Sequence, residues 1–328
     1  MRGSIGLRHR RATLMAAVTG ALALALSACG SGGYPETPLP TTAATPSSSA
    51  TTAAAAPACD NATQTYDALA GLTGDQADAA VKAIRDRGYL VAGVSADSLL
   101  LGSRNPVTGQ IEGFDIDVVK AVAQAILGDA GKVQLRVIQA ANRIPALQKS
   151  EVDIVVRNMT MTCARWNDIA FSAEYYRSGL KILVPRDSTV TTLEGLAGKK
   201  VCAPTGTSTI DKVKATAGVI AVGSATHTGC LVLFQAGQVD AIAGDDTVLA
   251  GLVAQDPYAK VPQIAPLTAE PYGIGVNKDK VDLVRYVNKV VETMKSDGRW
   301  QRSYDTWFAP ALGPAPQPPT PSYGRPVA

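Results

Sequence analysis

Short apolar runs alternate with helical periodicity from residue 89 onward. Residues 89–94 (YLVAGV) predict a buried strand. After Gly113-Phe114-Asp115-Ile116-Asp117, apolar positions 116, 119, 122, 126 and 127 mark one helical face, with Asp115 as the expected N-cap. Residues 133–138 (VQLRVI) alternate as a strand. Residues 144–149 predict a short helix that Pro145 can start, and 152–156 (VDIVV) another strand. Strand and helix alternating through short links predict a parallel sheet with helices on both faces.

The pattern then recurs. Residues 199–203 (KKVCA) predict a strand, and Gly206-Thr207-Ser208-Thr209-Ile210 opens a helix. A helix at 228–236, a strand at 239–243 and a helix at 247–254 follow. The frame Q-x-x-x-V-D occurs at 148–153 and again at 235–240, and Asn158 and Asp245 stand five residues past the matched aspartates. Two such halves predict two Rossmann-like lobes, and open α/β sheets bind ligands outside the carboxyl ends of their strands. The site is therefore expected in the cleft between lobes. A strand near 271–276 and a helical region at 279–307 return the chain to the first lobe. The expected boundaries are 63–186 with 270–312 for lobe 1, and 187–269 for lobe 2.

The ends of the chain read differently. Residues 1–11 are basic and 12–26 apolar, too short to span a bilayer, which fits a secretory signal over 1–28. Leu26-Ser27-Ala28-Cys29-Gly30 resembles the bacterial lipobox, whose cysteine carries the lipid after cleavage, so Cys29 is the expected lipidation site on the outer, extracytoplasmic face of the cell membrane. Residues 30–58 hold only Tyr34, Glu36 and Leu39 outside Gly, Ser, Thr, Pro and Ala, and 29–62 read as a disordered tether. Residues 310–328 hold seven prolines, and 313–328 are expected to be an unstructured tail. The 328 residues suit about two domains. The formal charge of +3 includes four arginines of the leader, which leaves −1 for the remainder and no basic excess for nucleic acid. Aromatics make up 5%, few for a base-stacking platform.

Setting Cys29 aside, four cysteines remain in an exported chain, and four allow three pairings. Cys202 and Cys230 bracket one strand-helix-strand unit and are paired on that ground; Cys59 with Cys163 follows by elimination. Free buried thiols are the alternative. There is no CxxC or histidine-rich cluster, and neither a metal nor a cofactor is expected.

Several blocks stand in a familiar order: GFDID at 113–117, RIPAL at 143–147, NMTMTCAR at 158–165, FSAEYY at 171–176, GTSTID at 206–211, VDAIAGDD at 239–246, YGIGVNK at 272–278 and DGRWQRSYDTWF at 297–308. Together they resemble the polar amino-acid-binding proteins of bacterial ABC importers, and most of all the actinobacterial glutamate/glutamine-binding lipoproteins. The resemblance covers about 80–312. It implies the type II periplasmic-binding fold and hinge closure on glutamate, aspartate, glutamine or asparagine. It also implies a monomeric carrier serving an ABC permease, or a sensor reporting to a membrane signalling partner.

A free amino acid is a zwitterion, and both charges must be re-solvated by protein. Arg165 matches the family's carboxylate-binding arginine, whose guanidinium can make two parallel hydrogen bonds. Thr160 is expected to donate to the same carboxylate and Asn158 to offer its carbonyl to the ammonium; Thr162 is a further donor or a helix N-cap. Asp245 matches the family's ammonium-balancing acid, with Asp246 as rival. Thr207, Ser208 and Thr209 stand at a helix start whose free N–H groups attract an anion. The family flanks its ligand with aromatics; here Ala140 and Ala141 occupy one such position, and loop 94–105 has no aromatic. Ser95, Asp97 and Arg104 are the polar candidates of that loop, Arg104 for a side-chain carboxylate or as a solvated loop residue. Arg143 is either a further contact or structural, and Tyr272, at the expected hinge, a wall of the pocket. Phe114, Asp117, Trp166, Trp300 and Trp307 are assigned to packing. The enzymatic alternative, a dehydratase-type reaction on the same fold, finds little support. His9 lies in the leader, and His227 is expected as a surface residue at a helix start.

Overall fold

The computed structural model describes residues 59–71 and 79–327. The leader, Cys29 and residues 30–58 of the tether lie outside them.

One sheet runs Val133–Val137, Leu90–Val94, Ile154–Val155, Gly275–Asn277, Ile169–Phe171. Its first three strands are parallel, and Gly275–Asn277 runs antiparallel to both its neighbours. The second sheet runs Ile220–Ser224, Lys200–Pro204, Ala241–Asp245, Tyr176–Pro185, Ala259–Lys260, with Ala269–Tyr272 also on Tyr176–Pro185. Helices cover these strands, and the α/β two-lobe architecture expected from the alternation is borne out. A small antiparallel sheet, Asp97–Ser98, Gly102–Arg104 and Ile111–Glu112, occupies the loop after the first strand.

Tyr176–Pro185 belongs wholly to the second sheet, so the first crossing falls near 172–176 and not at 186. The run YRSGLKILVP is buried at seven of its ten positions, as a central strand requires. The return crossing lies at 272–275. The two crossings lie side by side: Tyr175 N donates to Tyr272 O at 2.9 Å and Ser172 N to Ile274 O at 2.9 Å.

The larger lobe packs helices Phe114–Leu127, Val281–Ser296 and Arg299–Trp307 around Phe114, Tyr175, Tyr176, Trp300, Tyr304 and Phe308. Their rings meet edge-on or offset, as between Phe114 and Trp300 at 89° with centroids 6.0 Å apart. Gly298, at φ 80°, breaks the expected long C-terminal helix in two. Asp115 is not the N-cap of its helix. Gly113 occupies that position, because an added Cβ there would fall 2.4 Å from the Leu101 carbonyl.

Residues 313–327, expected to be unstructured, are docked on lobe 1. Ser322 O accepts from Thr65 N at 2.9 Å, Tyr323 OH donates to Glu292 Oε1 at 2.6 Å, and Lys295 Nζ to Pro319 O at 2.6 Å. The prolines make the segment stiff and extended, so its docking costs little chain entropy. The non-proline residues supply the bonds. Arg325 donates to Gln64 O and Asn61 O, both at 2.6 Å, and its guanidinium lies 3.7 Å from the centre of the Trp166 ring. The structure bonds Cys59 to Cys163, with Cα atoms 6.2 Å apart, and Cys202 to Cys230, at 5.6 Å.

Candidate functional site

The carboxyl ends of the two parallel strand sets face each other, and the polar residues placed there are buried. Arg143, Arg157, Thr160, Asp245 and Glu270 are all less than a tenth exposed. Burying so many charges is costly unless they are paired, which marks this cluster off from the apolar cores around it.

Arg165 lies on the short helix Cys163–Trp166, which starts at Thr162; the Thr162 hydroxyl accepts from Arg165 N at 3.3 Å. The Arg165 guanidinium donates to Thr160 O at 2.6 Å and reaches across the lobes to Gly206 O at 3.3 Å. Thr160 Oγ1 donates to Glu270 Oε2 at 2.7 Å. On the facing lobe, Ser208 Oγ sits 3.2 Å from Thr160 Oγ1 and 3.0 Å from the same Glu270 oxygen. Thr207 is engaged locally. It caps helix Ser208–Ala215, accepting from Ile210 N at 3.1 Å and donating to Pro204 O at 2.7 Å. Thr209 is buried in the first turn.

Asp245 ends its strand on the second lobe and is 4% exposed. Tyr272 OH donates to its Oδ2 at 2.6 Å, while Oδ1 is buried with no partner among the described residues. Burial first, then the Glu270 carboxylate, push its pKa up to about 7. Asp246 is engaged elsewhere, accepting from Ser178 Oγ and from Thr247 N. Tyr272 is fully buried at the return crossing and packs on Tyr175 and Tyr176. Its hydroxyl holds the Asp245 carboxylate in place.

Asn158 takes a left-handed conformation, φ 36°, which asparagine tolerates. Asp115 Oδ2 accepts from its N–H at 2.9 Å, its carbonyl accepts from Arg143 Nη1 at 3.4 Å, and its side-chain Oδ1 is buried without a partner among the described residues. Asp115 also accepts from Tyr175 OH at 2.8 Å, and burial pushes its pKa up to about 6. Arg143 is saturated by carbonyls: Ala140 O at 2.9 Å, Arg157 O and Gly206 O at 3.1 Å, and Asn158 O.

The 94–105 loop divides. Ser95 Oγ donates to Asp97 Oδ1 at 2.9 Å, and Asp97 O accepts from Thr228 Oγ1 of the other lobe at 2.9 Å. Arg104 is exposed and donates to Gly109 O at 2.6 Å, tying its own hairpin. It stands outside the cleft cluster, as in the solvated-loop reading of the two the sequence left open, because the hairpin turns it outward to the 105–110 turn. His227, expected on the surface, is half-buried, with Nε2 3.3 Å from Ala243 O, and burial lowers its pKa to about 4. Two residues that sequence reasoning missed belong here, Glu270 and Arg157. Glu270 also accepts from Thr268 Oγ1 at 2.7 Å. The signal that could have found it is a charged residue next to the expected hinge.

The lobes touch closely where small residues meet. A Cβ on Gly206, whose φ is +73°, would fall 2.6 Å from Ala141 Cα, and one on Gly251 2.6 Å from Leu99 O. An aromatic at Ala141 would hold this approach open.

A cleft between two α/β lobes, a guanidinium on one side and a half-partnered carboxylate on the other, is accompanied by a sequence match. Residues 90–310 match the model of the bacterial extracellular solute-binding proteins, family 3. The chain belongs to this family. The family assignment agrees with the sequence motifs, and among the described residues no helix is long and apolar enough to cross a membrane. The chain is 35% identical over 228 residues to the ABC transporter glutamine-binding protein GlnH of Bacillus subtilis, covering 69% of this chain and 83% of that one. It is 32% identical over 252 residues to the glutamate-binding protein GluB of Corynebacterium efficiens, covering 71% and 85%. Among solved structures it is similar to the solute receptor for L-cysteine of Neisseria gonorrhoeae, with TM-score 0.67 and 28% identity, covering 71% of this chain and 95% of that one. These relatives are named as binding proteins, and the type II periplasmic-binding fold is shared.

Proposed function

We propose that this family member captures a polar amino acid between its lobes and delivers it to an ABC permease. The observation that carries the reading is Asp245, a buried carboxylate with one oxygen held by Tyr272 and the other without a partner among the described residues. A buried anionic oxygen with no donor is costly, and an ammonium group would offset that cost. The ligand's carboxylate goes to Arg165, Thr160 and Ser208, where Glu270 now accepts the two hydroxyl hydrogen bonds. One carboxylate takes the place of another, so Glu270 must yield to the ligand or share its donors with it.

The relatives' names support this division of labour. Glutamine, glutamate and cysteine share only their α-amino and α-carboxyl groups, so a common site for those groups with a variable side-chain pocket fits all three. The carrier is anchored through a lipid on Cys29 and works as a monomer in this reading, which rests on the lipobox resemblance and on the pairing of two lobes within one chain.

Isothermal titration against the twenty amino acids tests the reading. One-to-one binding is expected, and Arg165→Ala is expected to weaken it by about 2–5 kcal/mol, because the ligand carboxylate is then buried unpaired. A protein that binds none of the twenty, or an Arg165→Ala variant of unchanged affinity, removes the proposal.

A further inference from the structure

Three arginines meet in the cleft cluster, Arg143 and Arg157 buried and Arg165 half-buried, and they are not equivalent. Arg143 has its donors on four carbonyls, and Arg165 has carbonyls from both lobes and the proposed α-carboxylate. Arg157 is different. It stands two residues past the strand Ile154–Val155, is 6% exposed, and lies one residue before Asn158. Its Nε is buried with no partner among the described residues, and none of the ion pairs among them includes it. A guanidinium cannot escape this cost by losing its proton, because arginine stays charged in proteins.

Its surroundings place it at the junction of the lobes. Asp97 and Asp115 act on its charge from the first lobe, and it in turn lowers the pKa of His227 on the second, below the effect of burial itself. Both carboxylates have other work: Asp97 accepts from Ser95 Oγ, and Asp115 from Tyr175 OH and Asn158 N. Neither comes within ion-pair distance of Arg157 among the described residues.

Resting on the amino-acid reading above, we infer that Arg157 is the specificity residue of this site and holds the side-chain carboxylate of an acidic amino acid, aspartate or glutamate. In that reading the α-carboxylate and ammonium are matched to Arg165 and Asp245, which leaves Arg157 as the buried cation without a partner for the ligand's side chain. A carboxylate supplies the missing acceptor and the missing charge together. An amide supplies only an acceptor, an aliphatic chain supplies neither, and a cationic chain repels. The role expected of Arg104 thus passes to Arg157.

The test is a ratio. Calorimetric titration of the protein with L-aspartate, L-asparagine, L-glutamate and L-glutamine gives an acid-to-amide preference for each chain length. The better-fitting acid is expected to bind at least about tenfold more tightly than its amide, the scale of a buried charge-assisted bond. Arg157→Met is expected to bring that ratio close to one, and Arg157→Lys to keep most of it. A purely structural lesion weakens acid and amide alike and leaves the ratio where it was, which would overturn the inference. So would a wild-type protein that prefers the amide, which alone decides the matter if Arg157→Met does not fold. Binding of no amino acid at all defeats the amino-acid reading itself, and is told apart because no ratio then exists.

Discussion

Asp245 is where the chemistry of the cleft concentrates, because its two oxygens have different fates. Oδ2 is fixed by the Tyr272 hydroxyl, which leaves Oδ1 aimed and unpartnered among the described residues. Burial and the nearby Glu270 carboxylate hold its pKa at about 7, while the Tyr272 bond pulls the other way. An ammonium ligand favours the ionised form, so binding lowers that pKa and releases a proton. Affinity should therefore rise with pH up to about 7 and level off above it, at most about tenfold per pH unit. Calorimetric dissociation constants across that range check this, and Asp245→Asn should flatten the curve; a flat wild-type curve contradicts it. Tyr272→Phe removes the bond that stabilises the carboxylate. The rise should then move to higher pH, with affinity at neutral pH lower by about 1–3 kcal/mol. Arg157 was hard to read from the sequence for the same reason that it is informative. A lone arginine after VDIVV looks like the point where a strand reaches solvent, and only tertiary packing buries it.

The short helix Cys163–Trp166 carries Arg165 with only four residues, too few to be stable alone. Its support comes from outside it. Cys163 is bonded to Cys59, Trp166 Nε1 donates to Ala62 O at 2.7 Å, and Arg325 lies over the Trp166 ring. The N-terminal arm and the C-terminal tail thus clamp the element that carries Arg165. Replacing Cys59 and Cys163 by serine should lower both melting temperature and ligand affinity. The same change at Cys202 and Cys230, in the core of the other lobe, should lower melting temperature with a smaller effect on affinity. Equal affinity losses from the two pairs would argue against the clamp. Deleting 313–328 should lower the melting temperature by several degrees, read by calorimetry. The main strands and helices were legible because their periodicity is strong; the tail was not. Its composition is that of an unfolded segment, and what orders it is a surface built partly by Glu292 and Lys295 and partly by residues more than 250 positions away, Asn61 and Gln64.

For the whole molecule, the two crossings at 172–176 and 272–275 are the only covalent links between the two large sheets in the described folded region, and Glu270 and Tyr272 lie beside or at one of them. Ligand recognition and hinge position are thus coupled through the same short strand. The sequence repeat made two lobes legible but misplaced the first crossing, since YRSGLKILVP reads equally well as a strand of either sheet until its partners are known. Closure depends on the glycines where the lobes meet. Gly206→Val would place side-chain atoms against the Ala141 backbone, so ligand affinity should fall by about tenfold or more while the melting curve keeps a single cooperative transition. The central claim is that opposite poles of one zwitterion are held by Arg165 and Asp245 from facing lobes. Calorimetric titration of the protein with L-glutamate, glutarate and 4-aminobutyrate tests it most directly, because glutarate lacks the α-ammonium and 4-aminobutyrate lacks the α-carboxylate. The account expects one-to-one binding of L-glutamate and no measurable binding of either analogue; an analogue that binds as tightly as L-glutamate would contradict it.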